Sequence, residues 1–280
     1  YNDAVGPMAK SVREVAEVLD WVAGGDPEDP VTAEADRHID GSFAASLAAA
    51  SLKGARIGVL RQRFVGVTRE MEPTRLMANV VKELEAAGAT VVTVEIEDLD
   101  GEYRKARGSA PGALKAGWNA YLARGASAGE KVLTIDDLLA SGKLAPGSAR
   151  RFQSALQPGP AGAALEEAGR AFVARREAFR DVYVKLMDQH RLDALLYPAN
   201  LARPHTHEGG MERYGSEPGT CEDSAMTGLP QVTVPGGLMV DRYPFGVSFL
   251  GRPWSDGQLL GIAHAYEQAT RHRRSPQTVR

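Results

Sequence analysis

A strand–helix–strand pattern in the first third of the chain most constrains its fold. Arg56–Leu60 is a short apolar run with β-branched residues, which predicts a buried strand. A helical pattern over residues 73–87 follows, with a proline in its first turn and Gly88 as its stop, and residues 90–96 predict a second strand. Such short joins imply parallel pairing, because the crossover helix returns the chain to the same end of the sheet. The sequence therefore predicts an α/β protein.

Helical patterns lie on either side of this unit. Residues 12 to about 23 predict an amphipathic helix, with Ser11 and Glu14 as a capping box. The alanine-rich stretch 43–52 predicts a short helix. A last helix is predicted from near Ser255 to near residue 272, with Ser255 and Gln258 as a second capping box.

The rest of the chain is predicted as one domain over residues 1–280. A mainly helical insertion covers residues 101–190, and residues 192–198 return to the sheet. Residues 199–220 lack any periodicity and predict a long loop, a kind of segment that is often functional. Strands at 231–235 and 245–250 are expected to form an antiparallel hairpin.

Composition excludes several classes of protein. The 33 basic and 36 acidic residues give a net charge of −3, which argues against a nucleic-acid partner. No apolar run reaches the roughly 18 residues that a membrane span needs. The single cysteine, Cys221, excludes an internal disulfide and favours a reducing compartment such as the cytoplasm.

Two local arrangements are candidates for a metal site or a nucleophile. His205 and His207 alternate in an extended pattern and could bind one metal ion, with Glu208 or Glu212 as a third ligand. Cys221 could act as a nucleophile if one of these histidines were its base. A pair of exposed loop histidines and a small apolar cysteine are the more common meanings of these residues, so no metal site is predicted.

Several short strings occur in the order typical of one enzyme family. The first runs from Asp3 to Val12 and contains Gly-Pro-Met-Ala-Lys-Ser, and the others cover residues 18–30, 114–123, 192–198, 228–235, 245–253 and 265–270. With these strings the chain resembles the amidase signature family of amide hydrolases over nearly its whole length. The resemblance implies the C-terminal part of the amidase signature fold, a mixed β-sheet flanked by α-helices.

The resemblance also implies an activity. Members hydrolyse a carboxamide C–N bond to an acid plus ammonia or an amine, and the substrates expected here are non-peptide carboxamides. They use a serine that is activated through a second serine and a lysine, and no cofactor. In the family these groups precede the Gly-Pro-Met-Ala segment, so the triad is expected upstream of Tyr1 and this chain alone is expected to be inactive. Lys10 and Ser11 follow that segment, and a helix cap accounts for them.

In relatives, the segment before Gly-Leu-Pro and the loop after the late strand line the substrate pocket. By position, the pocket residues implied here are Tyr197, Asn200, Cys221, Asp223, Ser224 and Ala225. The family commonly has threonine where Cys221 stands and asparagine where Ala225 stands, so polar contacts are lost at these two positions. The alternative role for all six residues is packing around the hairpin.

The expected partners are a small-molecule amide and the N-terminal half of the same protein. A homodimer is left open, and no nucleic acid or membrane span is expected. Since the family sheet takes strands from both halves, the isolated chain is expected to expose strand edges and to aggregate or unfold in part. The alternative from another class is a non-catalytic module, a truncated or degenerate homologue that binds a small amide or a partner chain.

Overall fold

The computed structural model describes residues 5–65, 71–108, 113–125, 129, 131, 133–145, 147–149, 153, 156, 159–160, 162–202, 222–240 and 243–275. The chain forms two compact units, Leu99–Phe179 and a second unit made of Asn2–Asp98 with Arg180–Arg280. The second unit contains the sheet and is called the sheet unit below. One domain with a helical insertion over residues 101–190 stays a prediction.

The sheet unit is built on five strands. They are β1 (Arg56–Leu60), β2 (Thr90–Val94), β3 (Ala194–Pro198), β4 (Gln231–Leu238) and β5 (Pro244–Leu250), in the spatial order β2-β1-β3-β5-β4. β1 pairs in parallel with β2 and with β3, whereas β5 pairs antiparallel with β3 and β4. The predicted parallel unit, the predicted hairpin and the mixed sheet are therefore confirmed, and β4 is longer than expected.

Nine helices lie from end to end within the described part of the chain. They are α1 (Val12–Val22), α2 (Phe43–Ser46), α3 (Glu72–Ala86), α4 (Leu99–Ala106), α5 (Ala113–Arg124), α6 (Ile135–Ala140), α7 (Ala163–His190), α8 (Glu222–Thr227) and α9 (Asp256–Thr270). Short 3₁₀ turns cover Pro30–Thr32, Ala35–Arg37, Leu47–Ala49 and Arg61–Arg63. The helix expected over residues 43–52 is thus only α2 followed by a 3₁₀ turn.

The two faces of the sheet differ in chemistry. On one face Leu196 lies opposite Phe249, and both belong to an apolar core shared with α1, α3 and α9. On the other face Tyr197 lies opposite Ser248, and both are buried. Successive side chains of a strand point to opposite faces, so the register assigns each residue to its face. The second face therefore has a buried tyrosine and a buried serine among its side chains.

The start of α1 is capped from two directions. The Ser11 hydroxyl accepts the Glu14 N–H at 3.2 Å, as predicted, but the Glu14 carboxylate accepts from the Lys10 N–H at 2.8 Å instead of closing the box on Ser11. The Glu267 carboxylate of α9 accepts the Val12 N–H at 3.1 Å. A carboxylate is favourable at the positive N-terminal end of a helix dipole, so this contact stabilises the start of α1. It also joins α1 to α9.

The predicted capping box of α9 is wrong. The Ser255 hydroxyl donates to the Arg252 carbonyl at 2.9 Å, and the Gln258 amide donates to the Asp193 carboxylate at 3.0 Å. Ser255 has φ −94° and ψ 25°, and it follows Trp254, which is in the left-handed region with φ 63°. An N-cap side chain needs extended backbone to reach the first turn, and Ser255 does not have it.

The unit Leu99–Phe179 is helical in its described part. Thr134 caps α6 in a complete capping box with Asp137, and the Ile135 N–H donates to the Asn119 side chain of α5 at 3.0 Å. Hydrogen bonds from Lys131 and Thr134 hold the pKa of Asp137 well below its ordinary value. These contacts order α5 and α6 relative to each other.

We expect Gly58→Ala in β1 to destabilise the sheet unit. A Cβ at Gly58 would overlap the Leu192 Cδ1 and lie 3.1 Å from the Leu195 Cδ2, and both leucines are buried. Overpacking of this kind should lower the free energy of unfolding by about 1–3 kcal/mol in urea unfolding followed by circular dichroism. Gly117→Ala in α5 is the control, since nothing lies within 4 Å of its added Cβ. Equal midpoints for the two variants would contradict the packing of β1.

Candidate functional site

The short helix α8 carries three of the residues that the sequence assigns to a substrate pocket. Asp223, Ser224 and Ala225 lie on consecutive positions of α8, which directly precedes Gly228-Leu229-Pro230 and β4. Ser224 and Ala225 are half-buried, whereas Asp223 is only 1% exposed. The structure therefore brings these three together on one element and gives Asp223 a different environment.

Asp223 belongs to a buried polar cluster that joins three elements. The Tyr183 hydroxyl of α7 donates to the Asp223 Oδ1 at 2.8 Å. Arg63, at the end of the 3₁₀ turn that follows β1, donates its Nη2 hydrogens to the Asp223 Oδ1 and to the Tyr183 hydroxyl, the latter at 2.8 Å. We call Arg63, Tyr183 and Asp223 the anchor cluster.

Burial and charge act against each other in the anchor cluster. Burial disfavours the Arg63 cation, but the Asp223 carboxylate and the Tyr183 hydroxyl outweigh that cost and raise the pKa of Arg63 above its ordinary value. Burial, followed by the Asp223 charge, raises the pKa of Tyr183 well above 10.0, and Arg63 opposes this only in part. The cluster is therefore a neutral phenol between an arginine cation and a carboxylate.

The end of α8 is a turn held by side-chain hydrogen bonds. The Thr227 hydroxyl donates to the Asp223 carbonyl at 2.5 Å, and the Ser224 hydroxyl donates to the Leu229 carbonyl at 2.7 Å. Gly228 has φ 72°, a left-handed conformation that glycine adopts without strain. The Ser224 hydroxyl is thus used to hold the turn that leads into β4.

Tyr197 begins a chain of hydrogen bonds across the second face of the sheet. Its hydroxyl donates to the Gln231 Oε1 at 2.9 Å, and the Gln231 Nε2 donates to the Ser248 hydroxyl at 3.1 Å. Ser248 and the Thr233 hydroxyl are 2.9 Å apart. Tyr197 and Ser248 are fully buried, whereas Thr233 is exposed. These contacts fix the start of β4 against β5 and β3.

Asn200 lies just after β3 and bonds to the start of β5. Its Oδ1 accepts the Gly246 N–H at 2.9 Å, and its Nδ2 donates to the Pro244 carbonyl at 3.3 Å. Asn200 thus joins the hairpin to the end of β3, and its side chain is separate from the anchor cluster in this hydrogen-bond pattern.

Several predicted residues cannot be placed. Cys221, the histidines His205 and His207, and the glutamates Glu208 and Glu212 lie outside the described residues. Of the predicted loop over residues 199–220, only the first four residues are described. Within the described ranges no group of three or more histidine, cysteine, aspartate or glutamate side chains is arranged to hold a metal ion.

Sequence reasoning missed Arg63, Tyr183 and Gln231. Arg63 and Tyr183 are 160 and 40 positions from Asp223, so no local spacing connects them. Arg63 does follow the carboxyl end of a predicted buried strand of a parallel sheet, where ligand sites of α/β proteins commonly lie. That placement was the one signal available in the sequence. Gln231 is only the polar first residue of a predicted strand, and no spacing relates it to Tyr197 or Ser248.

A cavity of about 260 Å³ is lined in part by β4. Its other lining residues come from the start of α1, from β5 and from the end of α9 and the segment after it, and they include Lys10, Val12, Pro244, Glu267 and Arg273. The cavity therefore has both apolar and charged residues in its lining.

Comparison with known proteins defines the class of this chain. The sequence profile of the amidase family matches residues 1–260. The chain therefore belongs to the amidase signature family, as its motifs indicated.

Individual relatives agree with this class. The chain is 29% identical to a glutamyl-tRNA(Gln) amidotransferase subunit of Cereibacter sphaeroides, over 95% of this chain and 55% of that protein. It is 26% identical to a probable amidase of Arabidopsis thaliana, over 99% of this chain and 50% of that protein. A crystal structure of a peptide amidase with the competitive inhibitor chymostatin superposes with a TM-score of 0.75 and 29% identity, covering 99% of this chain and 56% of that one.

These matches cover only part of each relative. The chain spans about half the length of the curated relatives it matches. Across the helices that the structure describes, none is long and apolar enough to cross a membrane.

We expect the raised pKa of Tyr183 to make the protein less stable in alkali. Above about pH 10 the phenol ionises in the unfolded chain but stays protonated in the fold, so the fold holds more protons and the free energy of unfolding falls as the pH rises. Tyr183→Phe removes this contribution and should flatten the fall between pH 9 and about 11 in urea unfolding. Tyr121→Phe, at a ring that is 69% exposed, is the control and should keep the full fall. Identical slopes for Y183F and the unsubstituted chain would contradict the buried phenol.

Proposed function

We propose that this chain is the C-terminal part of an amidase that hydrolyses the C–N bond of a small non-peptide carboxamide to an acid and ammonia or an amine. The observation that carries the proposal is the match of residues 1–260 to the amidase family, together with the 0.75 TM-score to a peptide amidase. The proposed nucleophile is a serine upstream of Tyr1, activated by a second serine and a lysine, and no cofactor takes part.

Three described serines support an upstream nucleophile. Amide hydrolysis needs a free hydroxyl beside a base, and hydrogen-bond donors for the oxyanion. The Ser224 hydroxyl donates to the Leu229 carbonyl, and Ser248 is buried between Gln231 and Thr233. Ser11 caps α1. Each of these hydroxyls has a structural role, so none of the three is the proposed nucleophile.

The role proposed for this chain is one wall of the substrate pocket. The wall residues are Tyr197, Asn200, Cys221, Asp223, Ser224 and Ala225. Ala225 is half-buried on α8 and offers only a methyl group, so the wall at this position is apolar. An apolar, half-buried position next to a rigid turn suits contact with the acyl or amine substituent of the amide.

The proposed macromolecular partner is the N-terminal half of the same protein. β4 ends the sheet in the described part of the chain, so its outer edge is open to a further strand. The cavity of about 260 Å³ is lined in part by β4, and Trp21 and Met8 are exposed in the same unit. An upstream segment that adds a strand along β4 would cover these surfaces, and the isolated chain is proposed to be prone to aggregation. The structure gives no reason to prefer a homodimer.

A second candidate is one component of a multi-subunit amidotransferase, since several relatives are named as subunits of glutamyl-tRNA(Gln) amidotransferase. The peptide amidase similarity favours an enzyme that acts on a free amide. The two candidates differ in whether hydrolysis needs further subunits. A non-catalytic, amide-binding homologue is the remaining alternative.

The test is to produce the chain together with the polypeptide encoded upstream of Tyr1. A fluorophosphonate probe should label a serine of the upstream part, and the complex should release ammonia or amine from a panel of short acyl amides and amino-acid amides. The chain alone should do neither. A native coding sequence that starts at Tyr1, or a labelled serine within residues 1–280, would overturn the upstream nucleophile. Labelling without hydrolysis of any free amide would favour the amidotransferase component.

We expect Ala225→Phe to weaken substrate binding by this complex. A ring at Ala225 would fill space at the proposed wall, and we predict a KM raised about tenfold with kcat changed less, as expected when binding shared by ground and transition states is lost. The rate of labelling by a small fluorophosphonate should stay within about twofold. Ala45→Phe, at an exposed position of α2, is the matched control and should leave KM unchanged. Equal KM values for A225F and the unsubstituted protein would remove Ala225 from the wall.

A further inference from the structure

The anchor cluster has a feature that packing alone does not require. A single carboxylate oxygen, the Asp223 Oδ1, accepts from both Arg63 and Tyr183. The cluster therefore joins α8 to the carboxyl end of β1 and to α7 through one atom. Any movement of α8 along or around its axis would break both contacts at once.

Helix α8 depends on contacts of this kind. It has six residues, and a helix of that length is not stable by itself in water. Met226 and Thr227 are buried, but Ser224 and Ala225 are only half-buried, so apolar burial holds only part of the helix. Asp223 provides the directional contact at its first turn.

The segment that follows α8 is fixed at its other end as well. The Gly251 N–H donates to the Pro230 carbonyl at 2.9 Å, and Gln231 bonds to Tyr197 and Ser248. With β4 held in this way, the anchor cluster adds a fixed contact at the start of the segment that carries Ser224 and Ala225. Loss of the cluster should free the start of α8 and leave β4 in place.

We propose that Arg63 and Tyr183 are positioning residues that set substrate affinity through Asp223, by fixing α8 and thereby the pocket wall at Ser224 and Ala225. The inference rests on the proposed function for the meaning of that wall. Asp223, a wall residue by its position, then contributes to the wall through α8, because it is only 1% exposed. A role in holding the wall should change substrate binding more than the chemical step when the cluster is lost.

The first measurement is hydrogen–deuterium exchange in the protein assembled with its upstream part, without substrate. Arg63→Met should raise the exchange rate of the amides in residues 222–228 by about tenfold or more, because local opening of α8 no longer breaks an ion pair. Tyr183→Phe should raise it less, since the contact between Arg63 and Asp223 remains. Exchange in β4 and β5 should not change.

The second measurement is steady-state hydrolysis of the amide found in the panel above. Arg63→Met should raise KM about tenfold while kcat stays within about threefold, and Arg63→Lys should recover part of the affinity because the charge remains. Arg61→Met is the matched control, since Arg61 lies in the same turn but is half-exposed and pairs with the exposed Glu95. It should change neither KM nor the exchange of α8.

A double variant separates positioning from stability. Arg63→Met alone leaves the Asp223 carboxylate buried without its cation, so the fold should lose thermal stability. Arg63→Met with Asp223→Asn removes both charges and should recover most of the melting temperature, but it should keep the high KM and the fast exchange of α8. Recovery of KM together with the melting temperature would overturn the inference, because the cluster would then act only on stability.

The two proposals fail in different ways. If the unsubstituted complex hydrolyses no amide, the proposed function fails, and exchange alone then decides the anchoring of α8. Unchanged exchange of residues 222–228 in R63M would overturn the inference even in an active enzyme. Equal effects of R61M and R63M would also overturn it, since a general loss of stability would explain both.

Discussion

The strand β3 is the element on which the arrangement of the sheet unit depends. It is buried along its whole length, and it pairs in parallel with β1 on one side and antiparallel with β5 on the other. A slip of one residue in either pairing would exchange Leu196 and Tyr197 between the two faces. The Tyr197 hydroxyl would then lie in the apolar core beside α3 and α9, without Gln231 as its acceptor. The register is therefore specified by both faces at once.

This register determines where the candidate site lies. β1 and β3 are parallel, so the turn that carries Arg63 and the segment that begins with Asn200 leave the sheet at the same end. α8 is bonded to the first of these through Asp223. The candidate site thus lies at the ends of two central strands, although its residues come from distant parts of the sequence.

Local patterns in the sequence predicted most of the sheet unit. The hydrophobic period and the flanking glycine and proline residues gave β1, α3 and β2, because these signals act within a few residues. The Ser11 and Thr134 caps were predictable for the same reason. Ser255 has the same local pattern but makes no cap hydrogen bond, because its backbone is not extended where it follows the left-handed Trp254. The Trp254 ring stacks on His38 at 4.1 Å, a tertiary contact with no local signal.

The candidate site was less predictable than the fold. The family resemblance directed attention to Asp223, Ser224 and Ala225, but nothing in the spacing of residues connects Asp223 to Arg63 or to Tyr183. Composition was no guide either, since an arginine after a strand and a tyrosine in a long helix are ordinary residues at those places. Only the folded chain shows that the arginine and the tyrosine donate to the same carboxylate oxygen.

An ion pair and apolar packing differ in how closely they fix the position of α8. A buried ion pair is often no more stabilising than apolar side chains of the same volume, because desolvation offsets the attraction between the charges. Apolar packing, however, allows a six-residue helix several similar positions. Two donors that share one acceptor oxygen are both satisfied in only one position of the helix. The anchor cluster therefore contributes position more than stability. On this proposal Arg63, Tyr183 and Asp223 hold in place the helix that carries Ser224 and Ala225.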